Sequence, residues 1–318
     1  MGAMDIRHSS LPETAAQALI DEINPGGFLH AIRPVSGDFY NRQFYLDMRS
    51  KEGLDICFVV KLYQGEYDFC VLRARVEYQA LSWLHLRHCS APEPVFLDDS
   101  GSVLGGPGLV TRFLLGSPIL DPPYPPDLGR QMALTLAGIH ANPCDSSALT
   151  FLLDKNPEKL WWRRSGNIPA WMAADPDGRS IWDAFSRLLA RQEHTPPRLC
   201  HADFWNGNVL FLAGNISAVV DWEEAGYGDP GSDVAYCYMD LVLSGLDQDA
   251  SEFLSAYHAV TGGPVANLTL WKLAAAVRPI FFPTGWIDQS PVRERFREFV
   301  RQAIQESNLI DTTRRTNS

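Results

Sequence analysis

This sequence predicts an α+β fold in two lobes, β-rich over residues 1–115 and mostly α-helical over residues 116–318. Two alternating runs, NRQFYLDM and ICFVVKLY, flank the turn KEGLD early in the chain, the pattern of an antiparallel hairpin. A proline-rich connector, SPILDPPYPPD, follows Gly116. Beyond it nearly all apolar residues fall at helical spacing.

The elements follow in order. Ser10 and Glu13 have the spacing of a capping box, with Pro12 in the first turn, and Ala15, Ala18 and Leu19 continue a helix that NPGG ends near Asn24. In the hairpin, Phe44, Leu46 and Met48 share one face, and Lys61 stands near the end of the second strand. Leu72, Val76, Ala80 and Trp83 lie at helical spacing in VLRARVEYQALSWLHLRH, which places Glu77 within one long helix. DDSGSVLGGPGLVTRFLLG reads as turn, strand, turn, strand. After the connector, helices are expected at 127–142, 178–193, 231–245, 248–260, 267–278 and 291–306, interrupted only by apolar strands at 208–212 and 216–221. The first lobe therefore carries one crossing helix, and the second a polar loop leading into a two-stranded hairpin.

Composition bounds the function. With 318 residues, of which 46% are hydrophobic, the chain buries one large core or two moderate ones. A formal net charge of −11 argues against nucleic acid and anionic membrane as partners, because both attract basic patches. The six cysteines at 57, 70, 89, 144, 200 and 237 form no C-x-x-C pair and no zinc-spaced cluster, so they read as reduced thiols of a cytoplasmic protein. No stretch approaches the roughly 20 apolar residues of a membrane span. The sequons at Asn215 and Asn267 are then chance matches, and the opening MGAM is set aside as a cloning remnant.

The chemistry concentrates in HADFWNGNVLF, residues 201–211, and in AVVDWEEAGYGD downstream. Asp203 and Asn208 stand five apart across a turn containing Gly207, and Asp221 ends the second strand of the hairpin that begins at Asn208. One carboxylate and one amide oxygen suit Mg²⁺, which takes few protein ligands and completes its shell with phosphate and water. Asp203 is left to act as a base. The arrangement H-x-D-x-x-x-x-N followed by Asp has the spacing of a phosphoryl-transfer loop, whose first Asp orients and deprotonates an attacking hydroxyl. A metal-bound triphosphate also needs a cation, for which Lys61 is the candidate, with Glu77 on the following helix to hold it. Each residue alone has an ordinary explanation as a turn, a cap or a solvated charge. The ordered set Lys61, Glu77, Asp203, Asn208 and Asp221 is what points to phosphoryl transfer.

On HADFWNGNVLF and VVDWEEAGYGDPGSDVAY the chain resembles the aminoglycoside phosphotransferase-like group, which includes choline, aminoglycoside and fructosamine kinases. VVKLY, the Glu77 helix, LVTRFLLG and LAGIHA extend the likeness over most of the chain. The resemblance implies a two-lobed protein-kinase-like fold with an N-terminal nucleotide-binding lobe and a C-terminal catalytic and substrate-binding lobe. It implies Asp203 as catalytic base, Asn208 and Asp221 as Mg²⁺ ligands, Lys61 on the α- and β-phosphates and Glu77 orienting Lys61. It further implies that backbone groups between Thr111 and Leu114, Arg112 among them, form the hinge that binds the purine edge of ATP, with GTP left open. The acceptor would be a hydroxyl of a small molecule, an aminoglycoside, ketosamine, amino alcohol or related metabolite, with cationic compounds among the candidates.

The departures from that pattern carry information. In place of G-x-G-x-x-G, VSGDFYNRQF offers only Gly37, so Ser36 and Asn41 are expected to share the phosphate loop with it. Ala202 replaces the activating arginine and no A-P-E follows Asp221, which argues against a protein acceptor. His201 is expected to orient the loop, and Asp229 and Asp233 to cap the helix near Gly231 and brace that loop. His140 reads as a buried helical histidine. Glu223 and Glu224 could face a cationic substrate or solvent, and the tryptophans at 161, 162, 171, 271 and 286 read as packing. The rival reading is a pseudokinase-like module that binds nucleotide without turnover; it would be favoured if Asp203, Asn208 or Asp221 were missing, and all three are present.

Overall fold

The computed structural model describes residues 10–35, 40–143, 150, 152–284 and 286–316. Ser36, Gly37 and Cys144 lie outside the described residues. The chain divides into two compact units, Met1–Gly116 with Ser217–Glu224, and Ser117–Ile216 with Ala225–Ser318. The segment 217–224, which a single cut after residue 115 would leave in the second part, thus groups with the first unit.

The first unit opens with α1 (Glu13–Ile23) and continues through β1 (Phe28–Pro34), β2 (Arg42–Arg49), β3 (Asp55–Leu62), α2 (Tyr67–His85), β4 (Pro94–Asp98) and β5 (Gly108–Arg112). Its sheet has the order β1-β2-β3-β5-β4, antiparallel throughout. The alternation read from the sequence is realised: Phe44, Leu46 and Met48 of β2 are buried with Phe58 and Val60 of β3, against Leu19 and Ile20 of α1. Leu46 pairs with Phe58 and Gln43 with Lys61. The central strand therefore delivers Lys61 between two neighbours.

Two local expectations fail for identifiable reasons. The capping box does not form, because Pro12 takes the N-cap position and no side chain bonds the first turn of α1. Between residues 94 and 112 the first strand precedes the DDSGS turn instead of following it. The cause is Asp98, whose carboxylate accepts the main-chain N–H groups of Ser102, Val103 and Leu104 at 3.0, 2.9 and 2.7 Å and so fixes that segment as a turn. In α2, Val76, Ala80 and Trp83 are buried, whereas Leu72, in the helix's second turn, is exposed.

The second unit contains α3 (Leu128–His140), β6 (Leu153–Asp154), α4 (Ala170–Ala174), α5 (Gly178–Leu189), β7 (Arg198–Cys200), β8 (Val209–Leu212), β9 (Asn215–Val219, which passes into the first unit at Ser217), β10 (Gly226–Gly228), α6 (Gly231–Leu243), α7 (Asp247–Thr261), α8 (Leu268–Ala275), α9 (Val277–Phe281) and α10 (Val292–Thr316). The core joins Ile181 and Phe185 of α5, Met239 and Leu243 of α6, Leu273 of α8 and Phe299 of α10. Helices α3 and α7 cross closely at Gly129, where an added Cβ would lie 2.1 Å from the Asp249 carbonyl oxygen. The expected helix 267–278 is two helices, because Pro279 has no N–H to continue the ladder. Sequence periodicity also missed the sheet β6-β10-β7, whose strands are two or three residues long and too short to show alternation. Among the described residues no helix is long and apolar enough to cross a membrane.

Candidate active site

In the first unit the candidate residues gather on Lys61. Its Nζ lies 2.8 Å from Glu77 Oε2, 2.5 Å from Asp221 Oδ1 and 2.8 Å from Glu223 Oε2. Glu77 is held in turn by the Tyr63 hydroxyl at 2.5 Å and by the Trp222 N–H at 3.1 Å. Burial by itself would lower the Lys61 ammonium, but the carboxylates of Asp221, Glu77 and Glu223 outweigh it and hold the group charged, well above the ordinary lysine range. Burial raises the Glu223 carboxyl, and Lys61 opposes the rise. Asp221 sits in the left-handed region at φ 64°, which turns the chain sharply between the end of β9 and Trp222.

Glu223 and Glu224 are both paired with Arg73. Glu223 is buried, and its carboxylate pairs with Arg73 at 3.0 Å as well as with Lys61, while Glu224 takes the other nitrogen of Arg73 at 2.8 Å. Asn41 is also engaged: its Nδ2 donates to Glu223 at 2.6 Å, and its Oδ1 accepts the Gln64 N–H at 3.1 Å. At the end of β5, the Arg112 guanidinium pairs with Glu93 at 2.9 Å and the Phe113 N–H bonds the Cys57 carbonyl at 3.2 Å. Leu114 follows directly, past the last strand bond.

The second unit brings together Asp203 and Asn208. Strand β7 leads into the loop, and Asp233 of α6 fixes its start by accepting the His201 N–H at 2.7 Å and the Ala202 N–H at 2.8 Å. Ala202 has φ 65°, a costly conformation for a residue with a Cβ, so this double bond is what holds the loop there. Burial would raise the Asp233 carboxyl, but His140 at 3.2 Å, together with the His201 groups, holds it below its usual range. His140 bonds the Tyr257 hydroxyl with its other nitrogen at 2.7 Å, and the His201 ring accepts the Asp203 N–H at 3.2 Å. Asp229 accepts the Gly231 N–H at 2.9 Å at the head of α6. Further along the loop, an added Cβ at Gly207 would lie 2.4 Å from the Trp205 ring, so any other residue there would force that ring to move.

Asn208 donates from Nδ2 to the Asp203 carbonyl at 2.9 Å and to Asp203 Oδ2 at 3.0 Å. That orientation turns its Oδ1, a neutral oxygen ligand, away from Asp203. Asp203 Oδ1 accepts Arg278 Nη1 of α9 at 2.7 Å, and the same nitrogen reaches the Ala202 carbonyl at 3.1 Å. Burial first, and the Asp203 charge second, raise the Tyr236 phenol, whose ring lies 4.9 Å from the Arg278 guanidinium. Arg278, Tyr236, Tyr63 and Arg73 escaped the sequence reading. Arg278 lies 75 positions from Asp203 with no motif spacing to mark it. The donor sets are of the right kind for Mg²⁺: Asn208 offers an amide oxygen and Asp221 a part-exposed carboxylate.

Asp240, also on α6, is buried and lies near Asp203. Burial first, and the Asp203 charge second, push its carboxyl up to about 7, against a hydrogen bond from the Asn206 N–H. Because the folded state holds this proton more tightly than the unfolded chain, stability is present below about pH 4 and declines as pH rises towards 7. Asp240→Asn is therefore expected to stabilise the protein by about 1–3 kcal/mol at pH 8 and to make little difference near pH 4. Denaturant unfolding at the two pH values checks this, and an equal effect at both would refute it.

Comparison with known proteins gives three findings. Residues 31–268 match the model of the phosphotransferase enzyme family, APH. A stretch of 93 residues is 33% identical to hygromycin-B 4-O-kinase of Escherichia coli, covering 28% of this chain and 27% of that protein, so the match spans about a quarter of the relative's length. Among solved structures, macrolide 2'-phosphotransferase MphH from Brachybacterium faecium superposes with a TM-score of 0.61 at 21% identity, covering 90% of this chain and 97% of that one. A thermostable mutant of aminoglycoside phosphotransferase APH(4)-Ia, in ternary complex with ADP and hygromycin B, superposes with a TM-score of 0.61 at 18% identity, covering 89% and 96%. The fold they share is the two-lobed, protein-kinase-like one.

Proposed function

This chain belongs to the phosphotransferase enzyme family, and from that premise we propose that it transfers the γ-phosphoryl group of Mg·ATP to a hydroxyl of a small molecule. The observation that carries this reading is Lys61, a buried ammonium kept charged by Glu77 and Asp221. A buried cation of this kind suits the α- and β-phosphates, and Glu77, anchored by Tyr63 and Trp222, keeps the lysine in position once phosphate oxygens compete for it.

Asp203 accepts the proton of the attacking hydroxyl. Its carboxylate is aimed by Asn208 and Arg278, so little reorganisation is needed when the acceptor arrives. Asn208 Oδ1 and the Asp221 carboxylate are the groups that would hold Mg²⁺. The metal, when bound, neutralises charge on the β- and γ-phosphates. The Leu114 backbone is the candidate partner of the purine edge. The APH(4)-Ia complex contains ADP, which supports an adenine nucleotide here.

Coupled ADP release with Mg·ATP, measured against aminoglycosides, ketosamines, choline, homoserine and macrolides with Asp203→Ala as the blank, tests the proposal. A wild-type signal on one acceptor that the variant lacks is expected. Nucleotide binding by thermal shift without release on any acceptor would favour the pseudokinase-like alternative.

A further inference from the structure

The residues around Asp203 carry information about the acceptor. The charge nearest to the carboxylate is Arg278, whose Nη1 lies 2.7 Å from Oδ1. An acceptor hydroxyl delivered to Asp203 must approach beside this guanidinium, which repels an ammonium on the same molecule. One acid near Asp203 offers that ammonium no open counter-charge. Asp240 is buried and tends to hold its proton at neutral pH.

One helical turn beyond Arg278, about 4.5 Å along α9, stands Phe281. The Trp161 and Trp171 rings stack on each other with centroids 5.5 Å apart, and Phe281 meets them edge-on at 4.7 and 4.8 Å. Phe282 adds a fourth ring, 4.5 Å from Phe281. Such a cluster would ordinarily be buried, yet Trp161 is 43% exposed, Phe281 38% and Phe282 62%. Packing therefore accounts for Trp162 and Trp271, which are buried, but not for Trp161.

We propose that Trp161, Trp171 and Phe281 form the acceptor platform of this enzyme, and that its acceptor is an uncharged hydroxylated compound with an aromatic or apolar face instead of a polycationic aminosugar. The flat face lies on the rings while the hydroxyl reaches Asp203 past Arg278. The inference rests on Asp203 being the base that serves phosphoryl transfer.

Calorimetric titration of the full chain with 4-nitrophenyl β-D-glucoside and with kanamycin, in the presence of Mg·ADP, tests it independently of turnover. The aryl glucoside is expected to bind at least about tenfold more tightly than kanamycin. Trp161→Ala should weaken the glucoside about tenfold and leave kanamycin unchanged, and Arg278→Gln should narrow the gap by strengthening kanamycin. The thermal shift with Mg·ADP shows that each variant is folded. Tighter binding of kanamycin, no binding of the glucoside, or a glucoside affinity indifferent to Trp161→Ala would each overturn the platform. Phosphoryl transfer is judged separately by ADP release: turnover on kanamycin refutes the platform and leaves the kinase standing, whereas glucoside binding without ADP release on any acceptor removes the kinase reading on which the platform rests.

Discussion

Asp203→Ala is expected to lower kcat by on the order of 10²–10⁴-fold while the thermal shift produced by Mg·ATP stays close to that of the unchanged protein. The carboxylate accepts hydrogen bonds from Arg278 and Asn208, both of which lie in the second unit, whereas Lys61 and its carboxylate partners lie in the first. Truncation therefore removes the proposed proton acceptor without touching Lys61. Arg278 keeps its bond to the Ala202 carbonyl, and the loop keeps the two bonds that Asp233 makes to its main chain. Asp203→Asn is the sharper probe, because an amide can still bond Arg278 but cannot take up a proton. A comparable loss of kcat in both variants assigns the role to basicity. Substantial activity in Asp203→Asn would assign it to positioning, and unchanged turnover in Asp203→Ala would remove Asp203 from the chemistry.

Which parts of the molecule could be read from sequence depends on the range over which the causes act. The β2–β3 hairpin was legible because its turn is short and its apolar residues alternate, so local pattern and burial agree. The candidate loop was legible because Asp203 and Asn208 bond each other across five positions, a relation that spacing preserves. The sheet β6-β10-β7 was not, since strands of two or three residues are defined by distant partners alone. Arg278 was hidden for the same reason, its partner lying 75 residues away. The two acids after Asp221 were ambiguous between solvent and substrate, because their partner, Arg73, one helical turn before Glu77 on α2, lies about 150 positions away. Asp98 shows the reverse case, in which a side chain that looked like mere turn punctuation sets the turn by bonding three successive N–H groups.

Lys61→Met should be the most destabilising single substitution at the candidate site. The ammonium lies among Glu77, Asp221 and Glu223, and its own side chain is only 8% exposed. Methionine fills a similar volume but leaves three carboxylates facing one another around an uncharged side chain, with Arg73 in direct contact with Glu223 and its charge also felt by Asp221. Removing one partner of a buried pair costs about 3–5 kcal/mol, because the remaining charge is left unpaired. That corresponds to a fall in Tm of roughly 4–8 °C for a chain of 318 residues. The sign of the pH dependence separates this cause from lost packing. Without Lys61 the crowded carboxyls are raised further, as burial already raises Glu223, so the folded state gains protons relative to the unfolded chain as pH falls. The deficit of Lys61→Met should therefore be largest at pH 8 and shrink towards pH 5, and Glu223→Gln added to it should recover part of the loss at pH 8. A deficit independent of pH, unmoved by the second substitution, would mean that lost packing around the lysine stem, not unpaired charge, is what the variant measures.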